Sequence, residues 1–243
     1  MNLVLIPKQV ECLKWDAADP CTHHLLNVLK VEVGSEVDFA VENGPRGKGT
    51  VTSLEKGGVE LSMAWNDSHG SNFLPIHLLV GLSRPQTCRK ILEQATSMGV
   101  EEFHFFHAEK GEPSYGSSSL WKTDEWMNRI KNGVEQAFAS HFPSCRIHKD
   151  LESACNEASS DCEFRIGLDN YEAEVGIEPV PLMDRSKICL AIGPERGWSK
   201  LERIILRREN FVLRHMGERV LRVETAVVAA LGVLGASSWT MDS

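Results

Sequence analysis

The feature that most constrains the fold of this chain is a change in its hydropathy pattern. In the N-terminal part, apolar and polar residues alternate, as at 37–41 and 59–63, which predicts strands with one buried face. After the polar segment 66–72, strand-like runs alternate with helix-like ones, which is typical of a parallel sheet covered by helices on both faces. We therefore predict an α/β protein with two domains, a small β-barrel over 1–70 and an α/β domain over 71–243.

The predicted elements follow this division. A short helix at 23–31 interrupts the strands of the barrel. In the second domain we expect strands at 76–82, 102–106, 145–148, 164–168, 188–192 and 211–213. The expected helices lie at 87–98, 123–140, 151–158, 200–209 and 225–236.

One predicted helix has a well-marked start. Ser199 and Glu202 form a capping box, and Leu201, Ile204 and Ile205 are the expected buried stripe behind it. A buried strand and a loop rich in glycine and proline precede this helix. Because ligands of open α/β sheets bind at the carboxyl ends of the strands, this loop is a candidate ligand site.

Charge and cysteine content exclude several classes of protein. The chain has 243 residues, a net charge of −8 and a pI near 5.6, which argues against broad non-specific binding to nucleic acid but permits a local basic patch. Seven cysteines without a CxxC pair do not form a disulfide framework, so reduced thiols are expected. No apolar run is long enough to span a membrane and no secretory signal is present, so we expect a cytoplasmic protein without membrane association.

Neither a nucleotide-binding loop nor a metal site is predicted. The glycine-rich segment 44–49 lies between two strands, whereas a phosphate-binding loop needs a helix behind it, so a hairpin is favoured. His104 and His107 would point to opposite faces of a strand. The Cys and His residues near the N-terminus fit no common zinc spacing. They are Cys12, Cys21, His23 and His24.

Two loops in the C-terminal third carry most of the functional signal. The segments 193–199 and 216–226 are both strand-to-helix loops with glycines and charged residues. About eight basic and four acidic residues lie from Glu195 to Arg222, a local positive excess typical of an anion-binding surface. Two ordinary turns with solvated charges are the alternative interpretation.

The same loops carry a family resemblance. IGPERGWSKLE followed by MGERVLRVETA resembles the paired motifs of the 16S ribosomal RNA uridine N3-methyltransferase family, a branch of the SPOUT superfamily. HHLLNVLKVEVGSEVDFAVENG resembles the PUA-like N-terminal barrel of that family, and HLLVGLSRPQTCRKILEQATSMGV resembles its next strand and helix. Glu135 and Gln136 match an EQ pair, so the resemblance covers essentially the whole chain in the right order.

The resemblance implies a SPOUT domain with a deep trefoil knot, a homodimer, and a PUA-like domain that helps to seat RNA. It implies S-adenosylmethionine as the cofactor and methylation of N3 of a specific uridine in 16S rRNA of the small ribosomal subunit, without a metal. The residues implied to bind the cofactor are Leu168, Ile192, Gly193, Pro194, Gly197, Met216, Gly217, Val220, Leu221 and Arg222.

Two residues are candidates for catalysis. The Arg222 guanidinium could stabilise a developing uridine anion, and an ion pair with Glu224 or Glu195 is the alternative role for it. Glu195 could orient its loop or accept a hydrogen bond from the cofactor. The candidate RNA contacts are Arg46, Lys48, Arg84, Lys110 and Arg196. For Arg46 and Lys48 a solvated hairpin tip is the alternative.

The chain departs from the family pattern at a few positions. Arg196 replaces a glycine, Val223 replaces a threonine, and Ala108 and Ala139 stand where the family carries polar residues. Two other functions therefore stay open. One is a SPOUT methyltransferase acting on another RNA base, and the other is a non-catalytic RNA-binding protein that keeps the fold.

Overall fold

The computed structural model describes residues 3–66, 71, 73–181 and 186–236. Contacts divide the chain into two compact units. Unit 1 comprises the chain up to residue 72 together with 134–142, and unit 2 comprises 73–133 and the chain from residue 143. Unit 1 thus includes a segment from the middle of the chain.

Unit 1 is built on a mixed five-stranded sheet. Its strands are β1 (Leu3–Ile6), β2 (Cys12–Trp15), β3 (Glu36–Val41), β4 (Arg46–Ser53) and β5 (Val59–Asn66). The strand order is β1-β3-β4-β5-β2, with β1 parallel to β3 and the other neighbours antiparallel. Leu25, Phe39 and Leu61 lie at the centre of its buried core.

Unit 1 differs from the sequence-based expectation in three places. The patterning did not predict β1 and β2. The predicted helix 23–31 is wrong in its bounds: α1 (Pro20–His23) leads into a π-helical turn, His24–Leu29. The helix starts earlier because Asp19 Oδ1 accepts a hydrogen bond from the N–H of Cys21, 2.8 Å away. Strand β4 begins at Arg46, so Arg46 and Lys48 lie within a strand and not at a hairpin tip.

Unit 2 contains a fully parallel sheet of seven strands. They are β6 (Leu74–Gly81), β7 (Val100–Phe106), β8 (Ser144–His148), β9 (Phe164–Leu168), β10 (Val175–Gly176), β11 (Ile188–Ile192) and β12 (Val212–His215). Their order is β10-β12-β9-β11-β6-β7-β8. The predicted α/β class with a parallel sheet is confirmed, whereas the knot and the PUA-like character stay predictions.

Helices follow most of these strands. They are α2 (Pro85–Ser97), α3 (Ser119–Lys122), α4 (Glu125–Gln136), α5 (Leu151–Ala158), α6 (Lys200–Arg208) and α7 (Val223–Gly235). A 3₁₀ turn, Pro113–Ser117, precedes α3. The predicted helix 123–140 is too long, because Phe138 adopts φ of 53°, which a continuing helix does not allow. Within the described residues, no helix combines the length and apolar character needed to cross a bilayer.

Helix α6 has the predicted cap but only part of the predicted buried stripe, since Ile205 alone of the three residues packs against the core. Ser199 Oγ accepts from the N–H of Glu202 at 3.0 Å, and the Glu202 carboxylate accepts from the N–H of Ser199 at 2.7 Å. Leu201 and Ile204, expected to be buried, are 52% and 60% exposed. Their place against the sheet is taken by Glu202, Arg203 and Leu206, because the first two have polar partners inside unit 2.

Candidate functional site

A cavity of about 370 Å³ opens in unit 2 at the carboxyl ends of the strands. Leu168 and Ile192, the last residues of β9 and β11, are paired in register, so the loops after these strands begin side by side. The loop after β12 also contributes to the wall of the cavity. The residues that line the cavity are Arg84, Thr87, Leu168–Tyr171, Ile192–Trp198, Met216, Val220–Glu224 and Ala226. A cavity of this size at this edge of a parallel sheet is typical of a small-molecule site.

Trp198 anchors the loop that follows β11. Its indole is 1% exposed and stacks on Phe106, with ring centroids 6.0 Å apart and planes 3° from parallel. The indole Nε1 donates a hydrogen bond of 2.7 Å to the carbonyl of Leu168. A Cβ at Gly193 would lie 3.2 Å from this indole. A side chain at position 193 would therefore crowd the indole, and glycine leaves the backbone there open to a ligand.

The glycine turns shape the same wall of the cavity. Gly197 has φ of 64° and donates its N–H to the carbonyl of Pro194 at 2.8 Å, which closes a tight turn. A Cβ at Gly81 would lie 2.7 Å from the backbone nitrogen of Pro194, so the ends of β6 and of the loop after β11 approach closely. Gly217 turns the loop after β12 with φ of 86°.

Glu195 has a clear structural contact. Its carboxylate Oε1 accepts a hydrogen bond of 2.9 Å from the backbone N–H of Arg84. Arg84 is the residue that caps α2, so the carboxylate lies at the positive N-terminal end of that helix. The contact connects two loops that line the cavity, and the functional role of Glu195 stays a prediction.

Arg222 lies at the entrance to α7, where it is the N-cap residue. Neither ion pair considered for it forms: Glu224 Oε1 lies 3.2 Å from Lys90 Nζ, and Glu195 accepts from Arg84. Among the described residues, the exposed Arg222 guanidinium has no hydrogen-bond or ion-pair partner. Burial alone would raise the pKa of Glu224, but its own backbone N–H, Lys90 and the more distant charge of Arg222 outweigh it and lower that pKa.

A buried ion pair that sequence reasoning missed supports the loop after β9. Asp169, with its side chain 2% exposed, accepts from Arg203 Nε at 2.5 Å and Nη2 at 3.0 Å. Asp169 also accepts from the N–H of Tyr171, and the Arg203 guanidinium lies 5.6 Å from the centre of the Tyr171 ring. Burial alone would raise the pKa of Asp169, but Arg203 and the Tyr171 N–H outweigh it and lower that pKa.

The predicted RNA contacts lie in different surroundings. Arg84 and Arg196 line the cavity, and Lys110 donates from Nζ to the carbonyl of Trp198 at 2.7 Å. In unit 1, Arg46 Nη1 donates to the carbonyl of Phe138 at 2.7 Å. Lys48 forms a 2.8 Å ion pair with Glu36, which raises the pKa of the lysine. The contact with RNA stays a prediction for all five.

Most of the predicted cofactor residues come together. All of them line the cavity except Gly217, which shapes its loop instead. The cavity also contains Asp169, Asn170 and Tyr171, which the sequence analysis did not single out. A signal for these was present, because they directly follow the predicted strand 164–168 and so lie at the ligand-binding edge.

Comparison with known proteins decides the family. Residues 70–235 match the RNA methyltransferase domain family. The chain belongs to this family. Curated relatives include the ribosomal RNA small subunit methyltransferase E of Treponema pallidum, 26% identical over 98% of this chain and 92% of the relative. The protein of the same name from Bacillus subtilis is 23% identical over 87% of this chain and 86% of its own. The family assignment from the sequence is confirmed.

Solved structures show the same fold. The ribosomal RNA small subunit methyltransferase E of Neisseria gonorrhoeae, bound to S-adenosylmethionine, superposes with a TM-score of 0.79 at 20% identity and covers 99% of this chain and 100% of that one. A methyltransferase of Legionella pneumophila in complex with the same cofactor gives a TM-score of 0.78 at 21% identity, covering 97% of each chain. The whole of this RNA methyltransferase, and not its C-terminal part alone, thus has counterparts of known structure.

Proposed function

We propose that this protein uses S-adenosylmethionine to methylate N3 of a uridine in 16S rRNA of the small ribosomal subunit. The observation that carries the proposal is the cavity at the ends of β9, β11 and β12. It is lined in part by Arg222, whose guanidinium has no hydrogen-bond or ion-pair partner among the described residues. Names of relatives and the two cofactor-bound neighbours support the substrate and the cofactor. A ribosomal substrate is consistent with the predicted cytoplasmic location.

The cavity fits an adenosine-sized cofactor. A side chain at position 193 would crowd the Trp198 indole, whereas glycine lets backbone groups of the loop after β11 approach a ligand directly. Leu168, Ile192 and Leu221 give apolar surface for an aromatic base. When bound, S-adenosylmethionine supplies an electrophilic methyl group carried on a sulfonium.

The residues of this chain would contribute positioning and charge. Transfer to N3 of uridine requires loss of the imide proton, so negative charge develops on the base. The Arg222 guanidinium, which is always protonated and carries five donors, is available to stabilise that charge or an RNA phosphate. Glu195 keeps the loop after β11 against the start of α2, so the loop backbone stays in place during the reaction. No metal takes part in this scheme.

The proposal includes a homodimer. Unit 2 carries large apolar side chains that are exposed on and near α6 and beside the cavity. They are Leu201, Ile204, Val212 and Val220, which are 52%, 60%, 54% and 83% exposed. Leu201 and Ile204, three residues apart, lie on the same exposed face of α6. An exposed apolar face of this kind is typical of a protein interface, and a second copy of the chain is the commonest partner in a symmetric assembly.

The knot and the PUA-like domain are also part of the proposal. The order β12-β9-β11 supports the knot, because β12, the last strand along the chain, lies beyond β9 and not beside β11. The compact five-stranded sheet of unit 1 supports the PUA-like domain, which would grip RNA through basic strand residues such as Arg46 and Lys48.

Mass spectrometry of rRNA nucleosides from a deletion strain tests the function. We expect N3-methyluridine to disappear from 16S rRNA and to return on complementation with the wild-type gene but not with Arg222→Ala. Unchanged N3-methyluridine in the deletion strain would contradict the uridine N3 assignment. If a different methylated base is lost, the enzyme modifies that base. If no base is lost and calorimetry detects no binding of S-adenosylmethionine, the protein is an RNA-binding protein without catalytic activity.

A further inference from the structure

One aromatic side chain on the wall of the cofactor cavity has no part in the mechanism proposed above. Tyr171 lies in the loop after β9, lines the cavity and is 80% exposed. No other Phe, Tyr or Trp among the residues that the structure describes is as exposed. An exposed aromatic ring beside a ligand cavity is typical of a binding contact, since it offers a large rigid surface to a flat ligand.

The Tyr171 ring is held in place from one side. Its backbone N–H donates to Asp169 Oδ1 at 3.0 Å, and Asp169 is itself fixed by two hydrogen bonds from Arg203. The Arg203 guanidinium lies over the ring, 5.6 Å from its centre. Because Arg203 is buried and the ring is exposed, one face of the ring rests on the protein and the other faces solvent. A surface fixed in this way lowers the entropic cost of binding a ligand.

The ring lies beside a group of cationic side chains. A Cβ at Gly197 would lie 3.8 Å from Tyr171 Cε2, so the ring is next to the turn that carries Arg196. Arg84, Arg196 and Arg222 all line the cavity and are exposed. Within the described part of the chain, none of these three guanidinium groups has a hydrogen-bond or ion-pair partner, because Arg84 contacts Glu195 through its backbone N–H alone.

The carboxylates of the cavity do not neutralise these guanidinium groups. Asp169 pairs with a buried arginine, Glu195 accepts from a backbone N–H, and Glu224 pairs with Lys90. The wall of the cavity therefore keeps an excess of positive charge around an exposed ring. An aromatic surface flanked by arginines is typical of a site for single-stranded nucleic acid, in which the ring contacts a base and the cations contact phosphates.

The proposed reaction itself requires an unpaired base. The N3–H of uridine donates a hydrogen bond in a Watson–Crick pair, so N3 can be methylated only when the base has left any pair and, with it, the helical stack. Enzymes that act on such a base replace the lost stacking with aromatic side chains of their own. Tyr171 is the side chain of the cavity that can do this.

We propose that the outer face of Tyr171 stacks on an unpaired base of the RNA substrate, while the neighbouring arginines bind its phosphates. This inference rests on the proposed function, which supplies RNA as the ligand. Stacking depends little on which base is present. Tyr171 would therefore select an unpaired nucleotide over a paired one, and would not select uridine over other bases.

The adenine of the cofactor is the competing partner for the ring. Ile192 is 4% exposed, and Leu168 and Leu221 are half-buried, so these residues offer the adenine an enclosed apolar surface. Tyr171 offers a surface that stays open to solvent. A base that belongs to a long strand needs such an open surface, because the strand must enter and leave through solvent. The RNA base is therefore favoured.

Binding of small-subunit particles from a deletion strain to the full-length protein tests the inference, with S-adenosylhomocysteine present so that no methyl transfer occurs. We expect Tyr171→Ala to weaken binding about tenfold, a loss within the range found when one stacking side chain is removed. Tyr171→Phe should restore most of the affinity and Tyr171→Leu little of it. Ile147→Ala, which removes an exposed apolar side chain of unit 2 outside the cavity, should change nothing.

Calorimetry with S-adenosylmethionine should give the wild-type affinity for all of these variants. The inference is overturned if Tyr171→Ala binds the particles normally, or if it loses affinity for S-adenosylmethionine, since the ring then stacks on the adenine. It is also overturned if light scattering shows that the variant no longer dimerises, because the ring then lies in an interface. If Tyr171→Ala does not fold, equal binding by Tyr171→Phe and Tyr171→Leu overturns it.

The same experiment separates this inference from the proposed function. Normal particle binding by the wild type, without any effect of Tyr171→Ala, contradicts the stacking alone. A wild-type protein that binds no particles contradicts both. Loss of a methylated base other than N3-methyluridine in the deletion strain contradicts the uridine assignment and leaves the expected effect of Tyr171→Ala unchanged, because stacking does not read the base.

Discussion

The indole Nε1 of Trp198 donates a 2.7 Å hydrogen bond to the carbonyl of Leu168, which joins the loop after β11 to the end of β9. Both residues line the cofactor cavity, so this bond fixes the spacing of two of its walls. The Trp198 indole itself is buried, 1% exposed. Beyond the pairing of β9 with β11, this one side chain therefore holds the loop after β11 to the end of β9.

Trp198→Phe should weaken both the fold and the cofactor site. Loss of the donor removes a part-buried hydrogen bond to the Leu168 carbonyl, which costs about 1 kcal/mol. We expect the affinity for S-adenosylmethionine to fall about tenfold, or ~1.4 kcal/mol, measured by calorimetry. The matched control is Trp121→Phe, because Trp121 Nε1 is buried without a hydrogen-bond partner among the described residues and its removal should cost little. Equal effects of the two variants would contradict the role of the Trp198 bond.

Arg222→Ala should lower turnover and spare the fold. The guanidinium is exposed and makes no ion pair within the described chain, so its removal breaks no structural contact. We expect single-turnover methylation of small-subunit particles to slow by about 10²-fold, as for loss of one preorganised donor. Arg222→Lys should recover part of the rate, because a point charge does not reproduce the planar fork.

Arg219→Ala is the control for Arg222, since Arg219 is an exposed residue of the same loop outside the cavity lining. Normal turnover by Arg222→Ala would show that the guanidinium has no catalytic role. A large fall in its thermal midpoint would instead reveal a structural contact.

Asp169→Asn should destabilise the protein in a pH-dependent way. At neutral pH the change leaves the buried Arg203 without its main partner, at a cost of about 3 kcal/mol. The pKa of Asp169 is lower in the folded protein than its usual value of 3.8. Its stabilising effect is therefore complete above about pH 4 and is lost as the pH falls through the lowered pKa.

Urea unfolding of the wild type and Asp169→Asn from pH 7 to pH 3 measures this effect. The difference between their free energies of unfolding should stay constant down to about pH 4 and then shrink. A difference that does not depend on pH would mean that the carboxylate charge contributes nothing to the pair.

Ile204→Glu should convert the proposed dimer to a monomer. Ile204 is 60% exposed on α6, so a charged side chain there is tolerated in the free chain but not in an apolar interface. Light scattering at micromolar concentration should show half the mass of the wild type, with an unchanged circular dichroism spectrum. Val28→Glu, at a similarly exposed position in unit 1, should leave the mass unchanged. A monomeric wild type would contradict the dimer.

Hydropathy and capping residues predicted correctly the helices and strands whose bounds depend on residues close in sequence. The sequence-based bounds of α5, β9 and β11 agree with the structure at both ends. Strand β11 is a short apolar run, and Asp150 caps the start of α5 through the N–H of Ser153. The cofactor loops were found through family motifs and not through periodicity, since irregular loops have none.

The features that sequence reasoning missed depend on contacts between distant residues. The sequence pattern assigned Leu201 and Ile204 of α6 to the core. A hydropathy pattern does not reveal that Arg203 is buried instead, because its partner Asp169 lies 34 residues away. Strand β1 was missed because it pairs with β3 across more than thirty residues. A period of 3.6 thus identifies an amphipathic helix but does not say which face a protein core or a second molecule will cover.

The segment 134–142 has a consequence for the order in which the protein folds during synthesis. It completes unit 1 through Arg46, which donates to the carbonyl of Phe138, and through Asn43, which pairs with Ser140 and Phe142. These partners are translated about seventy residues after the last strand of unit 1. At a synthesis rate of roughly 5–20 residues per second, on the order of ten seconds pass between synthesis of the N-terminal sheet and synthesis of the segment 134–142. A fragment that ends at residue 72 therefore lacks part of its own fold.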